Sequence, residues 1–404
     1  MGMKATVGNR GKSAGSDCYV ELELISAGGI QFELKSKVKA LFGEKIESLC
    51  LQVLDFFAIE NCQIYLEDNG ALDYVIAARI EAVIRQLIET DKEFLLEILP
   101  QNRLETSAEK KRRSRLYLPG NTPKLALNAG VYGADGLILD LEDSVAPEKK
   151  FEAAILVRNT LRNVDFGGAE RMVRINQNQA GLEDLEYVIP HSPNLLLVPK
   201  CESAAQLQLI NEKVGQIKSE HNIATPVHLM PILESAKGVL NALEIASADN
   251  VVALAIGLED YTADLGVQRT EEGMESFFAR CQLVNAATAA GIQAIDSVFS
   301  DVSDMEKLQK NVLRSKALGF DGMGCIHPRQ INVVHDNYAP NDAEIESAMK
   351  IVNAFHIASE QGLGVVSLGS KMIDPPVVKR AQTIIDMAID VGKLAENWRD
   401  DYVS

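Results

Sequence analysis

Residues 227–235 read VHLMPILES and residues 251–260 read VVALAIGLED. Each is a continuous apolar run closed by acid, Glu234 in the first and Glu259 with Asp260 in the second, and the text between them is helix-like. A run without period-2 alternation has no wet face, so it reads as a strand buried on both sides, as in a parallel sheet covered by helices. The same unit recurs outward in both directions: SRLYLPG from Ser114, GLILDLED from Gly136, RMVRIN from Arg171, NLLLVPKCE from Asn194, IQAIDSV from Ile292 and GFDGMGCIHP from Gly319. Eight βα units in about 220 residues predict a (β/α)8 barrel, with a doubly wound open sheet as the alternative.

The barrel is assigned to residues 113–345 of the 404, preceded by a small α+β domain over residues 1–99. In that domain CYVELEL (18–24) and IQFEL (30–34) alternate about Gly28 and Gly29 and predict a hairpin; Val38–Phe57 has helical spacing, CQIYLED is a third strand, and Ala71–Ile88 a second helix. GNRGKSAGSD (8–17) has no P-loop signature and no strand before it, and reads as a flexible arm. QNRLETSAEKKRR (101–113) is polar with one leucine, which makes residues 100–112 a linker. Residues 346–404 form a C-terminal helical or lid segment in which Asp374 stands before Pro375 and Pro376 in KMIDPPVV.

Lys plus Arg number 40 against 57 Asp plus Glu, a net charge of −17 that argues against nucleic acid and anionic membrane as partners. No apolar run reaches the roughly 18 residues of a membrane span, and residues 1–30 hold no signal-peptide core. Six scattered cysteines without C-x-x-C pairing suit reduced thiols, and the expected location is cytoplasmic.

In such a barrel the chemistry gathers at the C-terminal strand ends, which here carry Asp140, Glu142, Asp143, Arg174, Lys200, Glu202, Glu234, Glu259, Asp260, Asp264, Asp296 and His327. Glu234 and Asp260 close successive strands, so two like charges would share one mouth. A hard divalent cation such as Mg²⁺ resolves that repulsion; a salt bridge from one acid to a lysine or arginine is the other solution. Arg174 lies in an apolar run and must meet an anion, either a substrate carboxylate or Glu142 or Asp143. Lys200 reads as a partner for the acids or a Schiff-base lysine, and His327 before Pro328 as a structural hydrogen-bonder or a base.

FGEKI and DNGALDYVIAARIEA in the first domain resemble the acyl carrier (gamma) subunit of bacterial citrate lyase. RRSRLYLPGN, LDLEDSV, VRIN, PKCES, ILES, GLEDYTADLG and IHPRQI resemble the citrate lyase beta subunit of the HpcH/HpaI aldolase family, so the chain is similar to a fusion of the two. The resemblance implies a Mg²⁺-dependent lyase that cleaves a citryl thioester by a retro-aldol step to oxaloacetate and an acetyl thioester. Malyl-CoA or citramalyl-CoA cleavage, or a non-catalytic carrier and assembly role, are the alternatives. It further implies Glu234 and Asp260 as metal ligands, Arg113, Arg174 and Glu234 as substrate-binding, and Arg174 with the lid acid Asp374, offered in related lyases by a neighbouring subunit, as catalytic. A phosphoribosyl-dephospho-CoA prosthetic group on a serine, a citrate lyase alpha (transferase) subunit as partner and a homo-oligomer are also implied. The family's modified serine stands two places before Asp; here Gly15 holds that place, leaving Ser16 as the attachment residue and Ser13 as a second choice.

Overall fold

The computed structural model describes residues 3–11, 14–360, 362, 364–368 and 371–399. It comprises two compact units, residues 1–331 and 332–404. All six cysteines are unpaired, and among the described residues no helix is long and apolar enough to cross a membrane.

The first unit opens with four strands, β1 (Lys4–Gly8), β2 (Cys18–Leu24), β3 (Ile30–Ser36) and β4 (Cys62–Asp68), in the order β1-β2-β4-β3. The expected β2/β3 hairpin does not form. β4 inserts between them, antiparallel to β2 and parallel to β3, because the helix Lys39–Phe56 carries the chain from β3 back to β4 as a crossover. β1, which the sequence reading missed, precedes the glycine-rich stretch and pairs antiparallel with β2 from Lys4↔Glu23 to Gly8↔Tyr19.

Helix Asp73–Arg85 covers the sheet, and its residues from Tyr74 to Ile84 are all buried, Arg79 and Glu81 included. A helix apolar on every side needs cover on every side. The second cover is the barrel helix Lys150–Asn163, itself buried from Glu152 to Leu161. Each fully buried Val or Ile on this seam contributes about 1.5–3 kcal/mol. The charges among them are paired: Arg79 donates to Asp17 at 3.0 and 2.9 Å and approaches Glu152 at 3.3 Å. Arg158 holds Glu81 at 2.7 and 2.6 Å and Glu93 at 2.9 Å. Such pairs fix register more than they add stability.

Residues 100–112, expected to be a free linker, are tied to the barrel. Pro100–Arg103 form a 3₁₀ turn, and the buried Asn102 donates to the carbonyls of Leu161 (2.9 Å) and Val164 (2.7 Å). The fully buried Arg112 makes a two-pronged bond to Glu170 at 2.7 and 2.9 Å. Polar residues enter an interior when each donor finds an acceptor, which composition alone does not reveal.

The barrel strands are β5 (Ser114–Pro119), β6 (Gly136–Asp140), β7 (Glu170–Arg174), β8 (Leu195–Val198), β9 (His228–Leu233), β10 (Ala253–Ile256), β11 (Gln293–Asp296) and β12 (Gly322–Cys325). They are parallel neighbours in order and close by β12 against β5, so the closed barrel rather than the open sheet is present. Its interior is filled by Ile138, Met172, Leu197, Met230, Ile232 and Ile295, among others.

The second unit packs helices Asp342–Glu360 and Pro375–Asp390 around Ala348, Val352, Ala381, Ile385 and Trp398, with a short antiparallel hairpin of β13 (Val366–Leu368) and β14 (Lys371–Ile373). The expected boundary at 345/346 falls inside the first of these helices.

Candidate active site

A cavity of about 450 Å³ opens at the C-terminal ends of the barrel strands, lined by Arg115, Tyr117, Asp140, Arg174, Glu234, Asp260 and Asp296 together with apolar Ile232, Ala255 and Ile256. The β6/β7 register sets Asp140 directly opposite Arg174. Arg174 Nε and Nη2 donate to the two oxygens of Asp140 at 2.6 and 2.8 Å, while Nη1 lies 2.9 Å from Glu142 and 3.6 Å from Asp143. Burial works against the charge on Asp140, but the guanidinium outweighs it and holds the carboxyl below its ordinary range. Arg174 also lies over the Tyr117 ring, 5.3 Å from its centre.

Glu234 behaves differently. It is 6 % exposed at the end of β9, and one oxygen accepts the Lys200 N–H at 3.0 Å. Among the described residues no lysine, arginine or histidine forms an ion pair with it. Burial first, then the charges of Glu142 and Asp260, push its carboxyl up to about 8. Gly257, just past β10, gives the side chain its room: a Cβ there would meet Glu234 Cγ at 2.6 Å and Cδ at 2.9 Å. Asp260 is in the first turn of helix Leu258–Asp264 and is half-exposed, with Lys200 Nζ 3.3 Å away. The two carboxylates face one cavity with a surplus of negative charge, a donor set that fits a hard divalent cation completed by water and substrate oxygens. The described residues contain no cluster of three or more His, Cys, Asp or Glu able to cage a metal without such help.

Arg174, Glu234 and Asp260 are thus brought together. Arg113 is not with them: it precedes β5 at the opposite, N-terminal end of the barrel, where it is clamped to Asp135 at 3.0 and 3.0 Å. Its place in a motif drew it into the site, and the direction of β5 removes it. Two residues later Arg115, buried on the same strand, does line the cavity, as does Tyr117; the sequence reading passed over both. Counting residues along β5 separates inward from outward side chains and was the available signal. His327 accepts the Arg329 N–H at 3.1 Å, a structural bond. Asp296 is paired with Arg280. Asp374 belongs to the second unit, where its carboxylate caps helix Pro375–Asp390 by accepting the Val377 N–H at 3.1 Å. Ser16 sits with φ +59° in the turn between β1 and β2, its N–H bonded to Asn69 O at 3.0 Å; Ser13 lies outside the described residues.

The family model described as HpcH/HpaI aldolase/citrate lyase matches residues 113–328. The chain belongs to that family. It is 38 % identical over 290 residues to the citrate lyase subunit beta of Leuconostoc mesenteroides subsp. cremoris, covering 69 % of this chain and 94 % of that one. Against the human mitochondrial citramalyl-CoA lyase it is 33 % identical over 293 residues, 69 % of this chain and 86 % of the relative. A crystal structure of CitE from Mycobacterium tuberculosis in complex with magnesium, acetoacetate and coenzyme A shares 32 % identity at a TM-score of 0.57, covering 69 % of this chain and 98 % of that one. Residues 4–87 match a second model, ACP, described as malonate decarboxylase delta subunit. In the HpcH/HpaI frame the chain is a lyase whose catalytic barrel is preceded by an acyl-carrier-type domain.

Proposed function

We propose that the chain cleaves a citryl thioester to oxaloacetate and an acetyl thioester, as the beta subunit of a citrate lyase, with Mg²⁺ held by Glu234 and Asp260. The observation that carries this reading is the buried Glu234, which among the described residues has no ion-pair partner, lining one cavity with Asp260 and Arg174. When bound, a divalent cation there supplies the positive charge that acidifies a substrate hydroxyl and stabilises the keto acid produced.

The chain's own residues do the rest. The Arg174 guanidinium binds a substrate carboxylate through its Nη edge, and Asp140 holds the plane of that fork in place, so orientation is set before substrate arrives. Lys200 neutralises Asp260 from the side, and its backbone N–H fixes Glu234. Ile232, Ala255 and Ile256 exclude water around the reacting carbons, which strengthens each charge interaction. Asp374 is proposed as the acid that protonates the departing enolate, and Ser16 as the attachment point of a phosphoribosyl-dephospho-CoA arm. A citrate lyase alpha subunit and further copies of this chain are the proposed partners, in the cytoplasm.

Cleavage of free citramalyl-CoA or malyl-CoA is the second reading, favoured by Gly15 standing where the carrier family has its serine. The deciding experiment pairs intact mass with turnover. The proposal expects added mass on the chain isolated from its native host and Mg²⁺-dependent oxaloacetate release from a citryl thioester. An unmodified chain that is inert towards citryl thioesters and turns over citramalyl-CoA would overturn it.

A further inference from the structure

The acyl-carrier-type domain packs along the barrel helix Lys150–Asn163, and its turn between β1 and β2 reaches the connections that leave the cavity end of the barrel. Asn9 Nδ2 donates to Asn121 O at 3.1 Å and to Asp17 at 2.8 Å. Asn121 follows Pro119, the last residue of β5 and part of the cavity wall. A Cβ at Gly15 would lie 3.2 Å from the Lys124 side chain in the same connection. On the other side Lys149 Nζ donates to Gly8 O at 3.1 Å, and its neighbour Lys150 donates to the carbonyls of Leu141 (2.8 Å) and Glu142 (2.6 Å) just beyond β6. The turn that carries Ser16 is therefore bound to the connections after β5 and β6, of which the first leaves the cavity residue Pro119 and the second bears Asp143 and Ser144.

The turn is also locked from behind. All of Asp17's bonding capacity is engaged: one oxygen takes the Cys18 N–H (2.8 Å) and Arg79 Nε, the other Asn9 and Arg79 Nη2. Arg79 reaches on to Glu152 of the barrel helix, whose second oxygen accepts the Gly8 N–H at 2.9 Å. Asp17 and Arg79 balance within the domain and Glu152 and Lys149 within the barrel, and the Arg79–Glu152 pair joins the two neutral halves across the seam.

We propose that the carrier domain is an immobile part of the lyase, and that Asp17, Arg79 and Glu152 are positioning residues that hold the Ser16 turn at the rim, so that a thioester borne there enters its own barrel while the domain stays docked. This rests on the reading of Ser16 as the arm's attachment point.

The test locks the seam far from Ser16. Arg85 of the carrier helix lies over the Tyr187 ring of the barrel at 5.3 Å, so Arg85→Cys with Tyr187→Cys, in a Cys281→Ser background, can be joined by a short bis-maleimide in the full chain. Docking predicts that the cross-linked, arm-bearing protein cleaves its citryl thioester within about twofold of the unlinked one. A loss beyond tenfold, with cleavage of added citryl-CoA retained, overturns the proposal. Glu152→Gln should lower kcat on the arm-borne thioester and leave kcat on added citryl-CoA unchanged; equal loss on both would reduce the network to a structural role. Hydrogen exchange of the unmodified chain tests docking without any arm. Amides of Val75–Ile84 exchanging as slowly as those of Ala154–Leu161 support docking, and exchange more than tenfold faster refutes it. Absence of an arm on Ser16 by peptide mapping would fail the functional reading alone.

Discussion

Gly257→Ala probes the proposed metal site without replacing either of its proposed ligands. The backbone at Gly257 has φ −109°, which alanine adopts freely, so no strain enters through the main chain. The difficulty is space. The new Cβ would meet Glu234 Cγ at 2.6 Å and Cδ at 2.9 Å, against an ordinary carbon contact of about 3.5–4.0 Å. Because Cγ is involved, the carboxylate cannot simply turn its tip aside, and the whole side chain must change rotamer or β10 must shift. Overpacking of this kind costs about 1–3 kcal/mol of stability. In the cation-bound state, where Glu234 is a carboxylate, its displacement also gives up the 3.0 Å bond from Lys200, about 1.5–3 kcal/mol. If half of that total falls on the bound state, Mg²⁺ affinity drops roughly 10–100-fold, as for losses of support around other metal ligands. Calorimetric titration with MgCl₂ and urea unfolding measure the two parts. Gly215→Ala, at a helix position with nothing within 4 Å, serves as the control and should leave Mg²⁺ binding unchanged. An affinity within twofold of the parent in Gly257→Ala would mean that Glu234 is not a ligand.

Arg174→Lys keeps the charge but cannot span both oxygens of Asp140 and a substrate carboxylate, so kcat/KM should fall at least about tenfold; a loss below about threefold assigns the residue to structure alone. Asp374→Asn preserves a good helix cap, so unfolding free energy should stay within about 0.5 kcal/mol while turnover drops; unchanged turnover removes the acid from the mechanism. Glu93, though burial opposes its charge, is held by His191 and Arg158 at about 2, below the ordinary 4.5. A depressed acid stabilises the fold above pH 4.5 and loses that contribution as pH falls towards 2. After discounting for partial exposure, Glu93→Gln should cost about 2 kcal/mol at pH 7 and progressively less from pH 4.5 downward, read by denaturant unfolding of both proteins. A pH-independent difference would refute it.

The barrel was legible because its strands are buried on both faces and so carry uninterrupted apolar text, as in LLLV and ALAI. Glu234, Asp260 and Arg174 followed from the rule that side chains closing those runs meet at one mouth. Pairings distant in sequence were not legible. Arg174 does pair with Glu142 and Asp143, but its bidentate partner Asp140 was not foreseen, because strand register decides it. β4 separates β2 from β3 although the short Gly28–Gly29 loop favours a hairpin, since nothing local announces the later strand. Arg112 and Asn102 read as solvated linker because their acceptors lie in Glu170, Leu161 and Val164, far along the chain.

The seam between β12 and β5 has a consequence in time. Met323 pairs with Ser114, so the barrel cannot close until synthesis has passed Cys325. The small domain, by contrast, is complete by about Ile88. At roughly 5–20 residues per second, the ribosome needs on the order of 12–47 s to deliver the intervening 237 residues (325 − 88). Through the early part of that interval the outer face of helix Asp73–Arg85 waits uncovered for Lys150–Asn163. The nascent chain thus offers chaperones, or a second nascent chain, a greasy helix for several seconds in each round of translation, and slowing elongation between codons 90 and 160 should increase aggregation of newly made protein more than slowing it after codon 330.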